Sequence, residues 1–375
     1  MVASMGSMIA QFNMENIFLL QELGFKVEIA CNLSDIDPMS EERRKKFLGT
    51  LEENQIVYHH IDFQRKIGDP SKNKKSYTQL DQLCKKTNYK FIHTHSPLAS
   101  IISRLVAKKN KIPVIYTAHG FQFFKNGPKK DWLLYYPIEF FFSRITDSVI
   151  TINKEDYAIS KKMFFKNSYY VPGVGIDYAK FRGADNESGN LRKKLGFLEK
   201  DFLILSVGEL SKRKNHATIM KAIAKLDISN VQYLICGVGD EEKNLKKLSK
   251  DLNIEEKVHF LGYRTNINEI MQISDIFAFP SRREGLGLAA IEAMASGLPI
   301  VTSNINGIND YSVDGITGFK YASDDVNGFA YGISHLQENP QLRAKISDNN
   351  KNKAKEFDKS YVRSIMEKVY IEYRE

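Results

Sequence analysis

Phe279-Pro280-Ser281-Arg282-Arg283-Glu284-Gly285-Leu286-Gly287-Leu288-Ala289-Ala290-Ile291-Glu292-Ala293-Met294-Ala295-Ser296-Gly297-Leu298-Pro299 is the most informative stretch of the chain. An apolar run ends at Pro280, glycines break the chain at 285 and 287, and a helix then runs to Gly297, a residue suited to the left-handed turn that closes a helix. Strand, glycine turn, helix is the repeating unit of a parallel α/β sheet, and the start of such a helix offers backbone N–H groups and partial positive charge to a diphosphate. Glu292 falls in mid-helix among Ala289, Ala290, Ile291, Ala293 and Met294. A carboxylate buried there needs hydrogen-bond donors, and sugar or ribose hydroxyls are suitable. A neighbouring Lys or Arg, or water, is the plainer alternative.

Outward from this passage, short apolar runs alternate with helical stretches. Lys26–Ala30, Gln55–His59, Phe91–Thr94, Pro113–Thr117, Ser148–Ile152 and Tyr169–Val171 form one series; Phe202–Val207, Gln232–Cys236, Val258–Leu261, Ile276–Phe279, Pro299–Thr302 and Gly318–Lys320 form another. The alternation predicts βαβ units, hence two doubly wound α/β domains with mostly parallel sheets. They divide as residues 1–175, a linker at 176–200 around the polar stretch Gly183–Asn190, residues 201–355, and a helix at 356–375 that closes the second domain or crosses back onto the first. Only Met1-Val2-Ala3-Ser4 precedes Met5-Gly6-Ser7, which predicts a truncated first strand. If Gly6 belongs to the first turn, its backbone can approach a ligand.

The 375 residues are 42% hydrophobic and 26% charged, a globular composition that excludes disordered, collagen-like and disulfide-scaffold classes. With 54 Lys and Arg against 45 Asp and Glu the net charge is +9, compatible with nucleic acid, anionic lipid or phosphorylated ligands. Cys31, Cys84 and Cys236 have no paired spacing, and there is neither a leader pattern nor a long apolar run, so a reduced cytoplasmic protein without a membrane span is expected.

Ser206-Val207-Gly208-Glu209-Leu210-Ser211-Lys212-Arg213-Lys214-Asn215-His216 puts three cations in a loop after a strand, where they can neutralise a leaving diphosphate. In Tyr116-Thr117-Ala118-His119-Gly120-Phe121, His119 follows the carboxyl end of a strand, the ligand-binding edge of open α/β sheets. His93 and His95 are two apart without an evident third ligand and read as structural or cleft-edge residues. Asp35-Ile36-Asp37 resembles a metal-binding D-x-D but reads as an exposed turn, so no metal is expected.

Residues 129–143 are apolar on every side, with Leu134, Ile138, Phe141 and Ile145 on one stripe and Trp132, Tyr136 and Phe140 on another. Such a helix is deeply buried or meets lipid. Arg65, Lys66, Lys72, Lys74 and Lys75 form a basic loop that could face anionic headgroups.

The passage 279–299 resembles the family 4 GT-B glycosyltransferases, whose hallmark P-S-x-x-E-G-x-G-x-x-x-x-E-A-x-A-x-G-x-P is complete here. The resemblance extends through Phe12-Asn13-Met14, residues 151–156 and Val171–Asp177, and looks closest to the branch that builds bacterial capsular polysaccharides and exopolysaccharides. It implies two Rossmann-like domains facing a cleft, the first binding an acceptor and the second a nucleotide sugar. Glu284 would meet donor-sugar hydroxyls and Glu292 the ribose; the amides of Gly285 and Leu286 and the side chain of Lys214 would hold the diphosphate; His119 would face the sugar. Many members carry an Arg where Glu209 stands, and Arg213 or Lys212 is expected to replace it.

The resulting expectation is a retaining hexosyl- or N-acetylhexosaminyltransferase that uses a UDP-linked donor and a lipid-linked or glycan acceptor, needs no cofactor, and sits peripherally at the inner face of the membrane. Lys72, Lys74, Lys75 and Trp132 would lie on the side that meets an anionic membrane surface or the acceptor. The alternatives are a sugar-nucleotide epimerase of similar architecture and a basic nucleic-acid-binding protein; for the latter no helix-turn-helix, zinc-finger or RNA-binding signature is present.

Overall fold

The computed structural model describes residues 1–34, 37, 39–64, 69–183, 188–226 and 228–374. The chain divides into two compact units, Met1–Val174 with Ser360–Glu375, and Gly175–Lys359.

The first unit is built on seven strands: β1 Val2–Met5, β2 Glu28–Asn32, β3 Val57–His60, β4 Ile92–His95, β5 Val114–Ala118, β6 Ser148–Thr151 and β7 Asn167–Tyr170. All pair in parallel in the order β3-β2-β1-β4-β5-β6-β7. β1 is short, as expected, yet it is as long as β3, β4, β6 and β7 and lies inside the sheet. The last helix, Lys359–Ile371, turns Val362, Met366, Val369 and Tyr370 into the core of this unit, against residues such as Ile29, Ile115 and Ile150.

The second unit holds β8 Phe202–Val207, β9 Val231–Cys236, β10 Val258–Gly262, β11 Ile276–Phe279, β12 Ile300–Ser303 and β13 Gly318–Tyr321, all parallel in the order β10-β9-β8-β11-β12-β13. The order reverses between β8 and β11, and in doubly wound sheets the crevice at such a switch point takes the ligand. β8, β9, β11 and β12 are covered on both faces, which is why they read as near-continuous apolar runs. Of the stretch expected to link the domains, the described part is structured. Asp177 caps the helix Tyr178–Arg182, Phe181 is buried, and Arg192 donates to the Ile273 carbonyl at 2.9 Å.

The aromatic helix Lys129–Ser143 corrects the sequence reading. Trp132 and Tyr136 face inward, packing on Phe123 in tilted and edge-on contacts with ring centres 5.0 and 5.5 Å apart, and the Trp132 indole N–H donates to the Phe124 carbonyl at 2.9 Å. Trp132 is therefore an anchor of the core, while Leu133, Leu134 and Phe141 are 81%, 57% and 60% exposed. The helix is fastened by a buried ion pair. Arg104, with no exposed surface, donates to Glu139 Oε2 at 2.9 Å and lies 4.4 Å above the Tyr116 ring, and the Tyr116 hydroxyl donates to Glu139 Oε1 at 3.2 Å.

The basic segment is also different from its sequence reading. Lys72, Lys74 and Lys75 lie on the helix Pro70–Lys86, started by Pro70 and capped by Asp69, and Lys75 pairs with Asp62 at 2.9 Å. Arg65 and Lys66 lie outside the described residues. No helix among the described residues is long and apolar enough to cross a membrane.

Removing one partner of a buried pair leaves a desolvated charge, a loss of about 3–5 kcal/mol. Glu139→Ala is expected to lower the urea midpoint of unfolding correspondingly, and a midpoint unchanged from wild type would show that Arg104 finds another anion.

Candidate functional site

In the second unit, the loops that leave β8 and β11 meet at one carboxylate. Glu284 is buried, and its Oε1 accepts from Lys214 Nζ at 2.7 Å and from Arg213 Nη1 at 2.8 Å. Lys214 Nζ also lies 4.5 Å from the centre of the Phe279 ring. Burial pulls the Lys214 ammonium below its ordinary pKa, and Glu284 beside it opposes the fall.

Backbone bonds hold the two loops together. The Arg282 amide donates to the Arg213 carbonyl at 2.8 Å, and Asn215, in the left-handed conformation, donates to the carbonyls of Pro280 at 3.2 Å and Ser323 at 2.7 Å. Glu209 is solvent-facing, 3.9 Å from Arg213. Of the two cations expected to replace the missing arginine, Arg213 is the one that bonds Glu284. Lys212 is exposed, and its carbonyl accepts from Arg282 at 3.0 Å.

Leu286 is buried, and Gly287 caps the helix Leu288–Ala295, which ends before Gly297 as the sequence indicated. The Gly285 turn rests on the loop after β12: a Cβ at Gly307 would fall 1.9 Å from the Gly285 carbonyl oxygen, so only glycine permits this contact. Next to it Asn306 is buried with neither side-chain polar atom hydrogen-bonded among the described residues. Ser281 Oγ and Ser211 Oγ are likewise buried and unbonded. Buried polar atoms nearly always have partners, so this concentration at the ends of β8, β11 and β12 marks a ligand-facing edge. Asn306 was not singled out from the sequence; its place directly after a parallel strand was the available signal.

Glu292 lies within the helix that follows Glu284. It is half-buried, and its side chain makes no hydrogen bond or ion pair among the described residues. Burial raises its pKa, weakly opposed by Lys180. Of the two sequence alternatives, pairing with a local cation is thereby removed.

In the first unit, His119 follows β5 and its Nε2 lies 3.1 Å from His95 Nδ1. The loop after it is pinned where the Phe121 amide donates to Asp156 Oδ2 at 2.8 Å. Asp156 belongs to the helix Lys154–Ser160, capped by Asn153. Burial lowers the His119 pKa to about 4. Although three imidazoles gather here, no group of three His, Cys, Asp or Glu among the described residues could hold a metal.

Gly6 starts a helix whose Ser7 amide donates to Asp37 Oδ2 at 2.8 Å. A Cβ at Gly6 would come within 2.7 Å of Leu33 and 3.1 Å of Asp37, so packing alone accounts for this glycine. Asp37 is buried, not the exposed turn expected from the D-x-D; Asp35 lies outside the described residues.

The sequence comparisons fit this geometry. Residues 17–168 match the profile of Glycosyltransferase Family 4 and residues 187–353 that of Glycosyl transferases group 1. EpsD of Bacillus subtilis, named as a glycosyltransferase, is 31% identical over 361 residues, covering 94% of this chain and 91% of its own. The chain belongs to the family 4 glycosyltransferases. This glycosyltransferase is also 31% identical over 290 residues, 75% of each chain, to the UDP-Gal:α-D-GlcNAc-diphosphoundecaprenol α-1,3-galactosyltransferase of Escherichia coli. Its fold is that of HepE of Anabaena, solved with UDP-glucose, at a TM-score of 0.80, 18% identity and coverage of 99% of this chain and 98% of that one. The GT-B fold class anticipated from residues 279–299 is therefore the fold of this enzyme.

Behind Lys214, His216 Nδ1 is 3.2 Å from the Tyr233 hydroxyl, and burial lowers its pKa to about 4. The folded enzyme keeps His216 neutral while an unfolded chain protonates it near its ordinary value of about 6.5. The stabilisation is complete above that value and is lost as pH falls through the interval towards 4, by about 1.4 kcal/mol per pH unit. In chemical unfolding across this interval, His216→Asn is expected to lose less stability than wild type, and parallel curves would refute the assignment.

Proposed function

We propose that this glycosyltransferase moves a hexosyl or N-acetylhexosaminyl group, with retention of anomeric configuration, from a UDP-linked donor to a lipid-linked oligosaccharide during synthesis of a capsular or exocellular polysaccharide. The observation that carries the reading is the Glu284 carboxylate: Oε1 is occupied by Lys214 and Arg213, while no described residue bonds Oε2. A carboxylate held this way can accept hydroxyls of a sugar through Oε2 while the two cations face a diphosphate. The names of the Escherichia coli relative and of the HepE complex supply the UDP donor and the diphosphoundecaprenol acceptor as precedents.

In this reading the bond from the anomeric carbon to the diphosphate breaks, and the electron pair leaves with UDP. Lys214, Arg213 and the Gly285 and Leu286 amides stabilise the growing negative charge, and fixed donors aimed at developing charge are usually an enzyme's main source of acceleration. The acceptor oxygen forms the new bond on the same face and passes its proton to the departing phosphate oxygen. Glu292 holds the ribose, and His119 supports the sugar. No metal is required, because lysine, arginine and helix amides carry the neutralisation.

Losing a hydrogen bond to a charged group costs about 1.5–3 kcal/mol. Calorimetry in EDTA is expected to show UDP bound about 10- to 100-fold more weakly by Glu292→Ala, whereas Glu284→Ala, which removes the sugar contact as well as the anchor of Lys214 and Arg213, loses transfer rate by more than it loses UDP affinity. Unchanged affinity in Glu292→Ala contradicts the ribose role; turnover abolished by EDTA and restored by Mn²⁺ contradicts the metal-free mechanism.

The enzyme works, in the same reading, at the inner face of the membrane. Leu133, Leu134 and Phe141 on one helix, with Phe164 exposed as well, form an apolar surface beside the exposed Lys129 and Lys130, and Lys72 and Lys74 are exposed elsewhere on the unit. An anionic bilayer complements both features, each cation near it contributing about 1 kcal/mol. Sedimentation with anionic vesicles at low salt should fall by about tenfold or more for Phe141→Glu and for Leu133→Glu. A wild-type enzyme that stays in the supernatant rules the surface out.

A further inference from the structure

His119 does not stand alone. Its Nε2 meets His95 Nδ1, and His95 lies against His93 with ring centres 4.3 Å apart. His93 is fixed from two sides, by the Tyr370 hydroxyl at 2.9 Å from Nδ1 and by Thr117 Oγ1 at 2.7 Å from Nε2. His93 and His95 are both fully enclosed, so their rings have one orientation each.

The decisive detail is the far nitrogen of His95. Its Nε2 is buried and has no hydrogen-bond partner among the described residues. A neutral imidazole carries one N–H and one lone pair. Placing the proton on Nε2 would bury an orphaned donor, which is rarer in proteins than an under-used acceptor. The proton therefore sits on Nδ1 and is donated to His119 Nε2. With its Nε2 lone pair occupied, a neutral His119 must carry its own proton on Nδ1, the nitrogen that no described residue bonds.

We infer that His95 is a positioning residue that fixes His119 as an Nδ1–H hydrogen-bond donor, and so selects an acceptor atom of the substrate, such as a sugar hydroxyl oxygen, as its partner. His119 then cannot serve as a general base through Nε2. Burial of both rings, which holds them neutral around pH 7, agrees with this. The inference deepens the proposed sugar-facing role of His119 and rests on it only for the consequence in catalysis.

The test is nitrogen-15 NMR of the histidine side chains in the full chain, with kinetics alongside. In wild type at neutral pH, His119 is expected to show a protonated Nδ1 and a bare Nε2. In His95→Phe, which keeps a ring but removes the donor, the His119 proton should shift towards Nε2 and kcat should fall about 10- to 100-fold with UDP affinity unchanged, a loss of the size seen when the partner that orients a metal-ligating histidine is removed. His95→Asn, whose amide N–H takes the place of Nδ1–H, should restore both the tautomer and most of the rate. A protonated Nε2 on His119 in wild type, or an unaltered His119 in His95→Phe, overturns the inference. Full activity in His119→Ala would instead overturn the sugar-facing role, leaving the tautomer result to stand by itself.

Discussion

The second unit is organised by a shared carboxylate. Lys214 and Arg213 are adjacent in sequence and would repel each other in a site that burial has partly stripped of water; Glu284, supplied by a different strand-end loop, offsets both. Because one oxygen takes both cations, the loops after β8 and β11 cannot move independently, and the Arg282–Arg213 backbone bond and Asn215 side-chain bonds follow the same join. A buried pair of this kind is weak evidence for stability, since desolvation consumes much of the attraction. Its value lies in geometry: two charges are held ready at the start of a helix, where an anion is already favoured.

Around His119 the first unit buries polar groups without charge. His93, His95 and His119 are each held neutral by burial; hydroxyls bond both nitrogens of His93, and His95 bonds His119 through Nδ1 while its Nε2 has no partner among the described residues. Within this row of imidazoles the His95–His119 bond transmits orientation rather than potential, because the proton one ring donates fixes where the other carries its own, while His93 supports His95 by ring contact. Tyr370 gives the last helix a part in this row, which explains why a segment so distant in sequence is built into the first unit.

The fold was legible where a local pattern had one physical solution. Alternating apolar runs and helices lead to parallel sheets, and Gly285, Gly287 and Gly297 punctuate a strand–turn–helix that has few other readings. Charge assignment was legible at Lys214 and Glu284 because both lie beside strand ends. What the sequence concealed depended on which face of an element is covered. Residues 129–143 are apolar all round, so periodicity cannot choose between Trp132 and Leu133; packing against Phe123 decides it. Lys72 to Lys75 looked like a loop because they fill the polar first turns of their helix, and its apolar stripe, Tyr77, Leu80 and Cys84, starts only after them. Asp37 was hidden because its role is to accept the Ser7 amide, thirty positions away in sequence.

Glu209 shows how a departure from the pattern of the resembling family is absorbed. A carboxylate at that position puts a negative charge where many members have an arginine, and a second anion close to Glu284 would weaken the hold on a diphosphate. The side chain is 62% exposed, however, so water and salt screen it. Arg213, four positions on, reaches past it to a buried oxygen at 2.8 Å while lying 3.9 Å from Glu209. The stronger and less screened contact wins, and the guanidinium is drawn inward rather than out to solvent. Glu209 therefore acts on Arg213 and Lys214 from a distance, and the cations that meet Glu284 come from the end of the loop instead of its beginning.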